Sequence, residues 1–346
     1  MRHTNLRTFV SALALTFVAF STNPASAESP FGLGFGLPDS NFDVVSLVSA
    51  LSRGERVSCH ELLAFLPPSW IEPFGDLRLE GVIAPRLEIL RSANSEHVEF
   101  RLHGIDTESH HCRVAKLKWE SKDVDWLNTP FTHSVSSDYL PPGVKIQVGP
   151  GAKDFVPIAE LPPHVGAAMV YSEEHGFYEN QGINADLIAR AMSRNRNEGR
   201  IVTGGSTITQ QLVKNLFLSR EKTLERKFQE AILATRVWQK VSKERVLELY
   251  LNCIEFGPGV WGIGPASQHY FGKDAPELTV AEASFLAAIK PQPMMGERVR
   301  RGKLDLKESG LGATVGAIIR TMHRHGVIDD TTLDVALAEQ PFPRSR

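Results

Sequence analysis

Residues 204–215 read Gly204-Gly205-Ser206-Thr207-Ile208-Thr209-Gln210-Gln211-Leu212-Val213-Lys214-Asn215. Two glycines lead into a helix on which Ile208, Gln211, Leu212 and Asn215 recur at helical spacing. A helix N-terminus collects anions through its free backbone N–H groups. Lys214 lies one turn from Gln210 and Gln211, so these polar groups share one region of the helix surface. The stretch reads as a phosphate or diphosphate cradle, against the blander reading of a well-capped polar helix. It is not a P-loop, because the lysine does not follow the glycines at the required spacing.

Downstream, Leu224, Phe228, Ala231, Ile232 and Thr235 form the apolar stripe of a longer helix. Arg226 and Glu230 lie on its opposite side as an i,i+4 pair. Spacing alone favours an exposed pair contributing about 0.3–0.5 kcal/mol; the other reading is that this face lines a cleft. Val246, Leu249, Tyr250 and Cys253 mark another helix. There Glu248 and Asn252, followed by Phe256-Gly257-Pro258-Gly259, read as structural helix termination. Thr279-Val280-Ala281-Glu282 is a capping box, and Leu311–Met322 and Thr332–Ala338 supply two more helices. Upstream, Leu187, Ile188 and Ala191 mark a helix. Ser172-Glu173-Glu174-His175-Gly176-Phe177 sets two carboxylates beside the apolar run Ala167–Val170. Burial and like-charge proximity can tune one such carboxyl into a general base, although paired acids usually sit solvated at a helix start. Residues 151–346 are therefore expected to be mainly α.

The N-terminal half has a different period. Leu77 and Leu79 alternate with Arg78 and Glu80, Leu87 and Ile89 flank Glu88, and Val98, Phe100 and Leu102 alternate with Glu99 and Arg101. This is the signature of antiparallel strands with one wet face. Cys112, Val114, Leu117 and Trp119 continue it with a one-residue slip that suggests a bulge. Residues 42–66 are expected to hold a helix, with Val44, Val45, Leu47, Val48 and Leu51 at helical spacing. Pro141-Pro142-Gly143 and Gly149-Pro150-Gly151 punctuate the boundary, so 42–150 reads as a small β-rich domain and the chain as α+β. His97, His103, His110 and His111 match no zinc spacing and read as surface or loop histidines.

Residues 1–27 have a basic start (Arg2, Arg7), an apolar core (Phe9–Phe20) and an Ala25-Ser26-Ala27 cleavage pattern, the layout of a secretory signal peptide. An uncleaved anchor is the rival reading, but Ser21-Thr22-Asn23-Pro24 is polar and helix-breaking, and a span needs about 20 apolar residues. Residues 28–41, rich in glycine and proline, form a flexible leader. Export makes pairing of the three cysteines favourable. Cys59 and Cys112, both in the first half, are the disulfide candidates, and Cys253 sits in an apolar run as a buried thiol.

The whole chain has 346 residues, with 38 Lys+Arg against 40 Asp+Glu, 42% hydrophobic and 23% charged residues. These proportions exclude disordered and low-complexity classes. The near-neutral balance argues against a nucleic-acid partner.

In their order, Gly204–Asn215, Arg226-Lys227-x-x-Glu230 and Lys243-x-x-x-Leu247-Glu248-Leu249-Tyr250-Leu251-Asn252 resemble the family 51 peptidoglycan glycosyltransferases over about 155–295, and more loosely to 340. The resemblance implies a mainly α, lysozyme-like fold with a smaller subdomain at the membrane surface. It implies polymerisation of lipid II into glycan strands from an undecaprenyl-diphosphate donor, with inversion. By resemblance, Glu173 is the general base, and Glu230 is the second acid, near the diphosphate and any bound Mg²⁺ or other divalent cation. Gln211, Lys214, Arg226 and Lys227 hold or shape the diphosphate site, Ser206 and Thr207 contact the same region, and Glu174 and Phe177 complete the substrate-binding set. The enzymatic reading requires one sugar diphosphate to bridge Glu173 and the Lys214/Arg226 cations. The implied partners are lipid II, the nascent glycan strand, the membrane surface and other cell-wall synthesis proteins. The implied location is the periplasm, peripheral to the outer face of the cytoplasmic membrane. Candidates for membrane contact are Ile201, Val202, Leu216, Phe217 and Leu218, with core packing as the rival. The sequence departs from the family in having Glu174 where Asp is usual and Asn180 where His is usual. Arg300-Arg301 is off register, Arg320 is a second candidate for the late Arg-Arg motif, and the anchor is read as cleaved. A degenerate precursor-binding scaffold and a glycan-cutting hydrolase are the alternatives.

Overall fold

The computed structural model describes residues 56–339 apart from 62, 64–65, 67, 84–85, 92–97, 104–110, 120–122, 138, 140, 142, 199, 201–203, 220 and 222. The leader, the 28–41 segment, most of the helix expected over 42–66, and His97 and His110 lie outside the described residues. The elements run β1 (Val57–Ser58), α1 (Pro68–Ile71), β2 (Arg78–Ile83), β3 (Arg86–Arg91), β4 (Val98–His103), β5 (His111–Lys116), β6 (Phe131–Ser134) and β7 (Lys145–Val148). There follow α2 (Pro163–Glu173), α3 (Ala185–Glu198), α4 (Ile208–Phe217), α5 (Leu224–Lys240), α6 (Lys243–Cys253), β8 (Glu255–Gly257), β9 (Val260–Trp261), α7 (Ile263–Phe271), α8 (Val280–Ile289), α9 (Pro293–Arg300), α10 (Leu311–Arg324) and α11 (Asp330–Ala338). The fold is α+β and mainly helical. The chain forms two compact units, one from residues up to 125 with 178–242, the other from 126–177 with residues from 243 onward.

In the first unit β1, β2 and β5 form an antiparallel sheet in the order β1-β2-β5. Val57 and Ser58 pair with Ile83 and Val82, so this part of the 42–66 stretch is a strand, whereas Val44–Leu51, whose helical spacing carried the expectation, lie outside the described residues. Leu77 and Leu79 are buried while Arg78 and Glu80 are exposed, as the period of two requires. Arg78 pairs with Lys116 but Leu79 with Val114; this is the expected slip, with one extra residue in β5. β3 and β4 form a hairpin in continuous register from Arg86↔His103 to Arg91↔Val98, and α3 packs against β4. Cys59 is disulfide-bonded and its N–H donates to the Gly81 carbonyl at 3.0 Å, where Gly81 pairs with Cys112.

In the second unit every residue of α8 is buried. A helix apolar on all sides belongs at the centre of a core, and α2 and α10 pack on it. The predicted capping box starts it: the Thr279 hydroxyl accepts the Glu282 N–H and the Glu282 carboxylate accepts the Thr279 N–H. Glu248 and Asn252 are structural, as expected. Asn252 Oδ1 accepts the Val156 N–H and its Nδ2 donates to the Val156 carbonyl, both at 2.9 Å; Glu248 accepts the Ile158 N–H at 3.0 Å. Cys253 is a free, buried thiol that burial pushes up to about 12. Among the described residues no helix is long and apolar enough to cross a membrane.

Candidate active site

The carboxylate pair stands at a helix end rather than at a solvated helix start. Glu173 is the last residue of α2 and Glu174 its C-cap. A negative charge there meets the negative end of the helix dipole and needs compensation. The compensation comes from Lys290, the residue directly after α8. Its Nζ lies 3.2 Å from Glu173 Oε1 and donates to Ser172 Oγ at 3.0 Å. It is also 3.4 Å from the Tyr250 hydroxyl and 5.4 Å from that ring's centroid. Burial holds Lys290 below the usual lysine range, with Glu173 opposing. Tyr250 is pushed well above its ordinary value by burial and then by Glu173 and Glu174, so it remains a neutral phenol. Sequence reasoning missed Lys290. The available signal was a lysine ending the apolar run Val280–Ile289, which has to find a partner if that helix is buried.

Glu174 is 1% exposed and Phe177 is fully buried, with Lys243 Nζ 4.5 Å above the Phe177 ring. Neither offers surface to a ligand. Within the turn that follows Glu173, the Phe177 N–H donates to the Glu174 carbonyl at 3.1 Å.

The first unit gathers the other set. Thr207 caps α4: its hydroxyl accepts the Gln210 N–H at 3.1 Å and the Gln210 side chain accepts the Thr207 N–H at 3.1 Å. Gly205 is required by close approach, because a Cβ there would stand 2.8 Å from Ile188 Cα in α3. Lys227 Nζ donates to Ser206 Oγ at 2.8 Å and pairs with Glu230 Oε1. Arg226 Nη1 lies 3.5 Å from Glu230 Oε2. The Arg226–Glu230 pair is not the exposed one that spacing favoured: Glu230 is 2% and Arg226 9% exposed, because α4 packs on α5. Arg226 Nε has no hydrogen-bond partner among the described residues. Gln211 is half-buried and Lys214 exposed on α4. Thr207, fully buried, donates its hydroxyl to the Gly182 carbonyl at 2.6 Å and so positions the helix rather than touching a ligand. Asn180, the residue where the family usually has His, accepts the Gly182 N–H at 2.8 Å and forms the turn that presents that carbonyl.

Glu230 is a poor metal ligand. One of its carboxylate oxygens meets Lys227 and the other faces Arg226. Among the described residues no group of three His, Cys, Asp or Glu could hold an ion. The residues present do not fit a resident divalent cation. Arg300 and Arg301 are also committed: both grip Glu297, which His269 Nε2 meets at 2.8 Å. Arg320 is exposed.

Chemically, Arg226, Lys227 and Lys214 outnumber Glu230, an arrangement suited to an anionic leaving group. The other unit holds one partly exposed carboxylate beside a buried ammonium.

The family described as Transglycosylase matches residues 145–309. A biosynthetic peptidoglycan transglycosylase of Azoarcus sp. (strain BH72) is 39% identical over 183 residues, covering 52% of this chain and 79% of that protein. One of Paraburkholderia xenovorans (strain LB400) is 45% identical over 139 residues, covering 40% and 58%. Penicillin-binding protein 1A of Aquifex aeolicus (strain VF5) is 47% identical over 146 residues, and the match covers 42% of this chain but only 20% of that larger protein. With both candidate acids and the Gly204–Asn215 stretch in place, the chain belongs to the transglycosylases, the family 51 glycosyltransferases.

Proposed function

We propose that the chain polymerises lipid II into glycan strands, releasing undecaprenyl diphosphate with inversion at the anomeric carbon. The observation that carries this reading is the cation-rich cluster of Arg226, Lys227 and Ser206 around Glu230, on the unit that also carries Lys214 exposed on α4. Glu173 takes the proton from the sugar 4-hydroxyl as that oxygen attacks. A carboxylate suits this role because its oxygen can accept the proton within hydrogen-bond reach of the attacking hydroxyl. Lys290 offsets the charge of Glu173 and orients it. Arg226, Lys227 and Lys214 stabilise the negative charge that develops on the departing diphosphate, an effect strongest where water is scarce. Glu230 fixes the two cations of its own helix in place.

The same reading places the protein outside the cytoplasmic membrane, working on its outer face. The leader pattern supports export. Leu216, Phe217 and Leu218 are half-exposed at the end of α4 and suit contact with a polyprenyl tail. The scaffold alternative rests on Asn180, Glu174 and the β-rich extension; of these, Asn180 has a structural duty, accepting the Gly182 N–H. The test is polymerisation of lipid II by the full chain, with and without Mg²⁺. Product is expected from the wild type and none from Glu173→Gln. Absence of product from the wild type on good substrate rejects the enzymatic reading, and release of soluble muropeptides from purified sacculi favours a hydrolase.

A further inference from the structure

The segment of the first unit that precedes residue 126 lies outside the family match, which begins at residue 145. It nevertheless packs on α5, the helix that carries Arg226, Lys227 and Glu230. Trp70 of α1 lies 6.0 Å from Phe228, ring centroid to centroid. Phe74 meets Phe228 edge-on at 6.1 Å. Two turns further on, Arg236 Nε donates to Asp123 Oδ1 at 3.0 Å, and its Nη2 pairs with Oδ2. Its Nη1 donates to the Val114 carbonyl of β5 at 3.3 Å. A bidentate arginine–carboxylate pair fixes direction as well as distance.

The geometry of α5 gives these contacts a consequence. At 100° per residue, Phe228, Ile232 and Arg236 point about 170° away from the mean direction of Arg226, Lys227 and Glu230. The two faces of one rigid helix are therefore held separately, the charged face by α4 and Ser206, the opposite face by the N-terminal segment. The aromatic contacts oppose axial rotation near Phe228, and the Asp123–Arg236 fork opposes sliding along the axis. A helix that has to hold a diphosphate to within a few tenths of an ångström needs both restraints, since a misplacement of about 1 Å can cost about 100-fold in rate.

We propose that the described residues of 66–125 that pack on α5 are a positioning brace for the transfer reaction, with Trp70, Phe74 and Asp123 as positioning residues that act through Phe228 and Arg236 on the cations of α5. This rests on the glycosyltransferase reading given above.

The test compares the wild type, Asp123→Arg, and the charge-swapped double variant Asp123→Arg/Arg236→Asp. Two readouts are used: lipid II polymerisation kinetics, and amide hydrogen exchange across residues 224–232. Asp123→Arg is expected to lower kcat about tenfold or more with KM nearly unchanged, and to speed exchange in 224–232 while the helices of the other unit keep their protection. The double variant is expected to recover both. Where Asp123→Arg does not give folded protein, Phe74→Leu carries the same comparison against the wild type. Wild-type kcat and exchange in these variants overturn the brace and leave the glycosyltransferase reading standing. A wild-type chain that makes no polymer rejects the glycosyltransferase reading instead. The coupling to α5 is then decided by exchange alone: a local rise that the swap reverses supports it, and no change removes it.

Discussion

Lys290 Nζ stands 3.2 Å from Glu173 Oε1, with the lysine side chain 6% and the glutamate side chain 20% exposed. Two opposing terms follow. Removing the lysine relieves the cost of burying an ammonium, but it leaves a carboxylate uncompensated at a helix C-terminus. In Lys290→Met these terms largely cancel in stability, so the melting temperature is expected to stay within a few degrees of wild type. Polymerisation is expected to fall about tenfold or more, because Glu173 loses the group that orients it. A thermal melt and a lipid II assay on the same preparation check both halves; an unchanged rate would remove Lys290 from the site.

Thr207 uses its hydroxyl twice, accepting the Gln210 N–H and donating to the Gly182 carbonyl. Thr207→Val keeps the shape and loses both bonds. A lost cap costs about 1 kcal/mol and an orphaned buried carbonyl about 1 kcal/mol more. Urea denaturation is expected to show a loss of about 2 kcal/mol for Thr207→Val and well under 1 kcal/mol for Thr207→Ser, which keeps the hydroxyl. Equal losses in the two variants would mean that the methyl group, not the hydroxyl, holds the start of α4.

The capping box at Thr279, the bulge in β5 and the helical stripes of the C-terminal region were legible because each depends on residues close in sequence. The Arg226–Glu230 pair shows the limit of that kind of reading. Its spacing is identical on a solvated face and on one covered by α4, and only tertiary packing distinguishes them. The partner of Lys290 was illegible for the same reason: Glu173 lies 117 positions away, on another helix. Val57–Ser58 joined a sheet because its partners, Val82 and Ile83, come from beyond a helical turn that local pattern could not bridge. Nor does any composition shift mark where the chain leaves one compact unit and enters the other near residues 125, 177 and 242.

His133 supplies a pH test. It is 7% exposed on β6, its Nε2 has no hydrogen-bond partner among the described residues, and burial lowers its pKa to about 4. The folded state therefore refuses a proton that the unfolded chain accepts below about 6.5. Stability falls as pH drops from 6.5 toward 4 and is indifferent to this group outside that window. The full effect is at most about 3 kcal/mol. In His133→Leu this part of the acid slope is expected to vanish, as read from denaturation midpoints at pH 7, 5.5 and 4. A variant whose slope matches the wild type would show that His133 takes up its proton in the fold.

Glu297 gives the complementary acid window. Hydrogen bonding from Arg300, assisted by His269 and Arg301 and opposed by burial, lowers its pKa from 4.5 to about 2. A carboxylate depressed in the fold stabilises above its unfolded pKa, and that contribution is lost as pH falls from about 4.5 to about 2. The shift alone corresponds to about 3 kcal/mol, but Arg300 and Arg301 are 31% and 57% exposed. Solvent screening reduces the expected contribution to about 1–2 kcal/mol. Glu297→Gln keeps the shape and removes the charge, so it is expected to be less stable than wild type by that amount at pH 7, and the difference should close as pH approaches 2. Urea midpoints at pH 7, 4.5 and 3 measure the closing difference directly. A gap that stays constant over this range would assign the effect to packing of the amide rather than to the ion pairs with Arg300 and Arg301.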